Sequence, residues 1–442
     1  MICNEIQHIG TARQQQWVAR CGIVQAAQRF RKPNMPLNFD VYRSNKPLAL
    51  DYSGLTAIFL ITFWLLQGTA MAQGVRPETV AGGLQNPWGF AFLPDGRFLV
   101  TERPGRLRVV EASGRLNKPV EGLPEVASGG QGGLLDVLLD ADFATNRSLY
   151  FCFSEPGNAG NRNSEAGVNS TALARATLSA DASRLTDVKI IFSQKPKVNS
   201  SLHFGCRIVE SRKPGLDGKA DGKLFLALGE RYSRALDAQT LGNHHGKLIR
   251  INKDGSVPAD NPFTAASFNR AGALPEIWSY GHRNPQGAAL APDGTLWMHE
   301  HGPQGGDEIN RPKPGANYGW PVITYGENYG GGKIGEGLTA QAGMEQPLHH
   351  WTTSIAPSGM AFLTSERYGK AWQGNLFVGS LKFAYLNRME LTAPFSGNVL
   401  RESKLITEVG ERIRDVRQGP DGLLYVLTDS SNGKLIRLLP AP

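Results

Sequence analysis

The sequence predicts an all-β fold, a six-bladed β-propeller with four-stranded antiparallel blades, on three observations. Glycine and proline fill 52 and 27 of the 442 positions, about 18 % against a usual value of roughly 12 %, so turns are frequent. One motif recurs, a Pro-Asp-Gly-type turn followed by alternating apolar residues: PDGRFLVTE at Pro94, DGKLFLALGE at Asp221, PDGTLWMHE at Pro292 and PDGLLYVLTD at Pro420, with WQGNLFVGS at Trp372 a looser copy and NRSLYFCFSE at Asn146 a further candidate. Asp-Gly supplies the positive-φ turn between antiparallel strands, and alternation with a period of two marks a strand. Third, no stretch shows a helical period of useful length. Six hairpin units at uneven spacings of roughly 50 to 80 residues favour radial repetition over a large β-sandwich.

The elements follow in order. Residues 55–66 (LTAIFLITFWLL) form an apolar run too short for the roughly 20 residues that span a bilayer. Arg43 and Lys46 precede it and Thr69-Ala70-Met71-Ala72 follows, the order of a signal peptide cleaved after Ala72. Residues 1–34 make that leader unusually long and read as a start-site artefact, with Met35 opening a leader of ordinary length. The mature chain, residues 73–442, is then a single propeller domain. A strand over residues 75–81 is expected to help close the ring. Several units continue into a further strand with a common ending: GRLRVV at Gly105, GKLIRI at Gly246 and GKLIRL at Gly433. The long insert at residues 325–346 is expected to lie over one face and shape a site.

Composition narrows the function. A hydrophobic fraction of 40 % excludes wholesale disorder. The formal charge is +8, but the leader carries seven of the basic residues and three of the acidic ones, which leaves +4 for the mature chain. No Lys/Arg-rich run interleaved with aromatics exists, so nucleic acid is not an expected partner. Of the four cysteines, Cys152 and Cys206 remain after cleavage; a disulfide and two buried thiols both fit the sequence. Gly130-Gln131-Gly132 lacks the third glycine of a dinucleotide fingerprint, Gly332-Lys333 lacks the rest of a phosphate loop, and no Gly-x-Ser-x-Gly elbow is present.

Polar residues gather instead at blade edges. His203 stands just before a strand, GHRNPQG (residues 281–287) before another, and HEHGPQGGDE (residues 299–308) after one. Arg283, Lys382, Arg412 and Arg414 come from three different units, and equivalent edges of propeller blades converge on one axis. Cations gathered there ask for a polyanion. In HEHGP, the carbonyls of a Gly-Pro turn near carboxylates suit a hard cation better than zinc, whose tetrahedral shell alternate strand residues do not close.

The ordered set GQGGLLDV, LGNHHGKLIRIN, GHRNPQG, HGPQGGDEIN, NYGWPV and SLKFAYL resembles the soluble pyrroloquinoline-quinone (PQQ) sugar dehydrogenases. The nearest pattern is the aldose sugar dehydrogenase branch of the glucose/sorbosone dehydrogenase family, over residues 84–439. The resemblance implies a periplasmic or secreted enzyme that uses PQQ and Ca2+ to oxidise aldoses at C1 to lactones. It implies His203 as general base, Arg283 as its partner at the quinone oxygen, and Gly302 and Pro303 as carbonyl ligands of Ca2+. Asn284, Lys382, Arg412 and Arg414 would hold the cofactor, with Gln131 near His203 at both cofactor and sugar. On the substrate side it implies Arg231, where the glucose-specific branch has a glutamine, and Trp351 as an aromatic over the cleft. Leu202 replaces an acidic residue of that branch, while Asp307 and Glu308 keep its supporting carboxylates.

Electrons would pass to an external quinone, cytochrome or dye, since no haem attachment motif exists here. No stable membrane insertion is expected after cleavage, and the assembly would be a monomer or dimer. The rival readings are a calcium-dependent propeller lactonase and a cofactor-less propeller that binds glycans or protein partners.

Overall fold

The computed structural model describes residues 74–157, 167–212, 219–264 and 272–441; the expected leader lies outside them. The turn-rich repeats form six antiparallel sheets. Blade 1 is built from Pro87–Phe92, Phe98–Glu102, Arg106–Val110 and Leu116–Pro119. Blade 2 comprises Leu134–Leu139, Ser148–Pro156, Val168–Leu178 and Leu185–Ser193, with the short Val198–Asn199 added beside the third strand. Blade 3 uses Gly205–Arg212, Ala220–Leu228, Lys247–Asn252 and Ile277–Tyr280, and blade 4 uses Pro285–Leu290, Leu296–Glu300, Asp307–Asn310 and His349–Trp351. Blade 5 is Pro357–Phe362, Leu376–Ser380, Tyr385–Ala393 and Ser396–Leu405.

Blade 6 closes the ring. Ile413–Gln418, Leu424–Thr428 and Gly433–Pro440 come from the C-terminal end of the chain, and Val75–Leu84 completes the sheet by pairing with Gly433–Pro440. The strand expected at residues 75–81 therefore exists and zips the two ends of the domain together. Each of the six predicted turn units supplies the second strand of one blade. Among the described residues, helix is limited to Phe143–Asn146 and two short 3-10 turns.

Successive side chains point to opposite faces of each sheet, and the blades bury both faces against their neighbours: Phe98 and Val100 pack on one side of their strand and Leu99 on the other. Leu99, Leu107, Phe151 and Phe153 pack between blades 1 and 2. Tyr150, Leu173, Leu226 and Ile249 pack between blades 2 and 3, where Cys152 and Cys206 form a disulfide. Burial of each large side chain stabilises by about 1.5–3 kcal/mol, so the core is distributed around the ring.

The six innermost strands touch their neighbours in cyclic order, the last meeting the first. Each also carries a register shift near its start: at Pro87/Phe90, Leu134/Val137, Gly205/Arg207, Pro285/Gly287, Pro357/Met360 and Ile413/Asp415. A bulge bends the strand and re-aims the extra side chain, and six of them ring one end of the axis. Glycines make the close approach possible; a Cβ on Gly359 would collide with Asp415 of the next blade.

Below the bulges the axis is filled by paired charges. Arg207 meets Asp136 at 3.1 Å and Asp415 at 3.2 Å, while Arg417 meets Asp136 at 2.6 Å and Asp415 at 2.9 Å. Burial works against the Arg417 charge, but Asp415 and Asp136 outweigh it and raise its pKa. Removing one partner would leave a buried charge uncompensated, so the four hold each other.

Candidate active site

A cavity of about 370 Å3 opens at the bulged end of the axis. Trp88, Leu135, Gly205, Gln286 and Arg414 line it, and each lies within or beside one of those register shifts. The local irregularity is thus what brings residues from five blades toward one space; Ala356, just before the innermost strand of blade 5, adds the sixth.

His203 sits at the edge of this space, next to the lining residue Phe204, and is 5 % exposed. Its Nδ1 donates to Glu230 Oε2 at 2.7 Å, because a carboxylate can only accept. That bond fixes the tautomer and leaves Nε2 with a free lone pair. The His203 backbone N–H donates to Gln131 Oε1 at 2.9 Å, and the residue has φ +50°. Gly229 lets the strand end approach, since a Cβ there would strike the His203 carbonyl. Burial, the largest influence, lowers the His203 pKa; Glu230 raises it, and Arg283 and Arg231 lower it. The imidazole is therefore neutral at neutral pH, as a base must be.

Arg283 connects blade 4 to the Gly-Pro turn. Its Nη1 donates to the carbonyls of His301 at 3.1 Å and Gly302 at 2.7 Å. Asp307 holds the same turn from beneath, accepting from Gly302 N at 2.9 Å, Ser354 Oγ at 3.0 Å and Ala356 N at 2.8 Å. Burial pushes the Asp307 pKa up to about 6 and that of Glu308 well above the carboxylate range. A Cβ on Gly302 would collide with Gly305 and Gly306. The turn is thus a close-packed cradle whose carbonyl oxygens suit a hard cation.

The cationic cluster is real but differs in membership. Arg412 and Arg414 line the cavity together with Arg103, and Asp429 joins them, 2.6 Å from Arg414, 3.3 Å from Arg412 and 3.8 Å from Arg103. Burial raises the Asp429 pKa, but Arg414, Arg103 and Arg412 outweigh that and hold it below the usual carboxylate value. Three guanidiniums against one carboxylate leave positive potential uncompensated. Among the described residues, the buried Nε atoms of Arg103 and Arg414 have no hydrogen-bond partner, a costly state unless a ligand acceptor completes it. Asn284 lines the same cavity and accepts from Gly205 N at 3.2 Å and Gln286 Nε2 at 3.1 Å. Lys382 is exposed at the rim, its ammonium 5.1 Å from the Phe383 ring centre, and only its neighbour Leu381 reaches the cavity.

Two expected substrate residues are placed otherwise. Arg231 is 0 % exposed, and its guanidinium donates to Leu202 O at 3.1 Å, Asn169 Oδ1 at 2.6 Å and Ser200 O at 2.5 Å. It stacks 3.8 Å over Phe204, so it braces the His203 loop from behind and has no free edge for a sugar. Trp351 is a core residue of the outermost strand of blade 4, packed with Trp297 and Met389 and bonded to Glu402 at 2.8 Å through Nε1. It is not over the cavity. The sequence puts it beside site motifs, but the outermost strand of a blade lies farthest from the axis.

Glu230, Arg103 and Asp429 were not anticipated, yet the repeats carry a signal for the two carboxylates. Five of the six turn units end in an acidic residue: Glu102, Glu155, Glu230, Glu300 and Asp429. In four blades that acid reaches back to the start of its own innermost strand: Glu102 to Gln85 N, Glu230 to His203, Glu300 to Arg283 N, and Asp429 to Arg414. Glu155 instead pairs with Lys197.

The model of the glucose/sorbosone dehydrogenase family matches residues 84–437. Aldose sugar dehydrogenase YliI of Escherichia coli (strain K12) is 46 % identical over 369 residues, which are 83 % of this chain and 93 % of that protein. The apo-form crystal structure of the soluble aldose sugar dehydrogenase from Escherichia coli is 44 % identical with a TM-score of 0.74, covering 83 % of this chain and all of that one. The PQQ-bound aldose sugar dehydrogenase of Streptomyces coelicolor is 26 % identical with a TM-score of 0.64, covering 84 % of this chain and all of that one.

Proposed function

Because the chain belongs to the glucose/sorbosone dehydrogenase family, we propose that it oxidises aldoses at C1 to lactones with PQQ and Ca2+, passing electrons to an external acceptor. The observation that carries this reading is the axial cavity with its buried, unpartnered Arg103 and Arg414 nitrogens beside a neutral, carboxylate-held histidine. A planar polycarboxylate is the ligand class such a lining asks for. Arg103, Arg412 and Arg414 would hold its carboxylates, Asn284 and Gln131 its edge, and Lys382 the rim. The Gly302 and Pro303 carbonyls would hold the calcium ion. When bound, the pair supplies the two-electron acceptor and the Lewis acid that polarises it.

The chain's own residues do the rest. His203 Nε2 takes the proton of the sugar C1 hydroxyl, and the imidazolium formed is stabilised by Glu230 across the 2.7 Å bond. Arg283 keeps the Gly302 carbonyl in place and adds positive charge beside the reacting centre. Arg231, bonded to the carbonyls of Leu202 and Ser200, maintains the loop that carries the base. A lactonase reading is disfavoured by the axial carboxylates: Asp136 and Asp415 are committed to Arg207 and Arg417 and offer no open metal shell. With the leader cleaved after Ala72, the enzyme works in the periplasm or outside the cell. Among the described residues no helix is long and apolar enough to cross a membrane.

His203→Ala tests the assignment of roles. The variant should bind PQQ, read by its absorption spectrum, while turnover falls by roughly 10²–10⁴-fold. Loss of cofactor binding with His203→Ala would show that the histidine is a cofactor ligand and not the base.

A further inference from the structure

An aromatic ring stands beside the His203 imidazole with no role in the proton transfer. Tyr232 is 52 % exposed, and its ring centre lies 5.3 Å from that of His203, edge to face at 81°. Packing does not explain a ring half open to solvent. Nor does hydrogen bonding, since the phenol hydroxyl has no partner among the described residues.

The backbone makes the choice of residue more pointed. Arg231 and Tyr232 both have φ +65°, a conformation that bulky L residues rarely adopt and that concentrates at functional sites. Glycine would meet this demand without strain. The chain instead carries a large aromatic there and holds its backbone: Tyr232 N donates to the Glu230 carboxylate, and Arg231 N donates to the His203 carbonyl at 3.3 Å. The backbone that carries the ring is thereby tied to the same carboxylate that orients the base.

We propose that Tyr232 determines sugar specificity by receiving the apolar C–H face of a pyranose whose C1 hydroxyl meets His203; this rests on the dehydrogenase reading above. An aromatic face is electron-rich and attracts the partly positive C–H groups of a sugar ring, and a residue beside the base can do so without entering the cofactor cavity. Tyr232 then does what the sequence led one to expect of Trp351. Pyranoses with a continuous C–H face are favoured, and aldoses whose axial hydroxyls interrupt it are disfavoured.

The test compares wild-type holoenzyme with Tyr232→Phe and Tyr232→Gly. Glycine keeps the backbone conformation and the N–H to Glu230 while deleting the ring. Tyr232→Phe should keep the wild-type KM, and Tyr232→Gly should raise KM for pyranose aldoses roughly tenfold with kcat within about twofold. In parallel, ligand-observed NMR with a C1-deoxy aldose, which cannot be oxidised, should show saturation transfer to the sugar C–H protons in wild type and not in Tyr232→Gly. An unchanged KM and an unchanged NMR signal in Tyr232→Gly overturn the proposal. A fall in kcat at constant KM overturns it too, because the residue would then act through Glu230. If the wild type binds the sugar analogue yet turns over no aldose with PQQ, the dehydrogenase reading fails while the NMR comparison still decides the role of Tyr232.

Discussion

Replacing Glu230 with glutamine isolates what the buried carboxylate does for the base. The change keeps size and keeps an oxygen able to accept from His203 Nδ1 and Tyr232 N, but removes the charge. A hydrogen bond to a charged group contributes about 1.5–3 kcal/mol against about 1 for a neutral one. Glu230 is 1 % exposed, so little water screens the loss when His203 becomes cationic in the transition state. The charge alone, a difference of about 0.5–2 kcal/mol, accounts for a fall in kcat of roughly 2- to 30-fold. If the amide turns its NH2 toward Nδ1, the wrong tautomer is fixed and the loss grows toward about 10⁴-fold. Steady-state dye reduction by holoenzyme measures it.

The pH profile adds a signed second readout. The base works only when neutral, so kcat/KM falls as pH falls through the folded His203 pKa, which burial sets below the ordinary value and Glu230 partly restores. Without the carboxylate that pKa drops further, and the acid limb moves to lower pH. A Glu230→Gln enzyme with wild-type kcat and an unmoved acid limb would refute the reasoning, whatever its stability.

Two further outcomes follow from the same geometry. Arg414→Met should weaken PQQ binding by about 10- to 100-fold, the worth of one charge-assisted contact; Asp429 keeps Arg412 and Arg103, so the melting temperature should change little, and an unchanged Kd would remove Arg414 from the cofactor's grip. The Cys152–Cys206 bridge closes a sequence separation of 54 between blades 2 and 3, and loop-closure entropy assigns it about 4 kcal/mol. Urea unfolding of a Cys152→Ala/Cys206→Ala variant should show a loss of roughly 2–4 kcal/mol, and an identical midpoint would mean that the bridge is not formed in solution.

The fold was legible because turn chemistry is local. Asp-Gly with its alternating partners identifies the second strand of four blades and looser copies identify the other two, so one repeated signal places six sheets. The residues at the starts of innermost strands were legible for a related reason: a propeller brings equivalent positions to one axis, so Arg283, Arg412 and Arg414 could be grouped from repeat position. Side-chain direction was not legible in the same way. Arg231 follows Glu230 directly, but their side chains diverge because two successive positive-φ residues turn the chain, and sequence spacing does not reveal φ. Trp351 depends on strand rank within a blade, and the insert before it hides that rank. The carboxylate partners, Glu230 and Asp429, were written in the repeat endings, although what they bind comes from elsewhere in the blade. The choice between disulfide and free thiols at Cys152 and Cys206 depended on the packing of blade 2 against blade 3, which no local pattern encodes.

The most direct test of the central claim is to titrate PQQ with Ca2+ into the purified apo protein and then supply aldoses and an electron-accepting dye. Saturable binding seen in the quinone spectrum, followed by aldose-dependent dye reduction and lactone formation, is the predicted result. No spectral change on adding PQQ, together with no dye reduction from any aldose, would contradict the account.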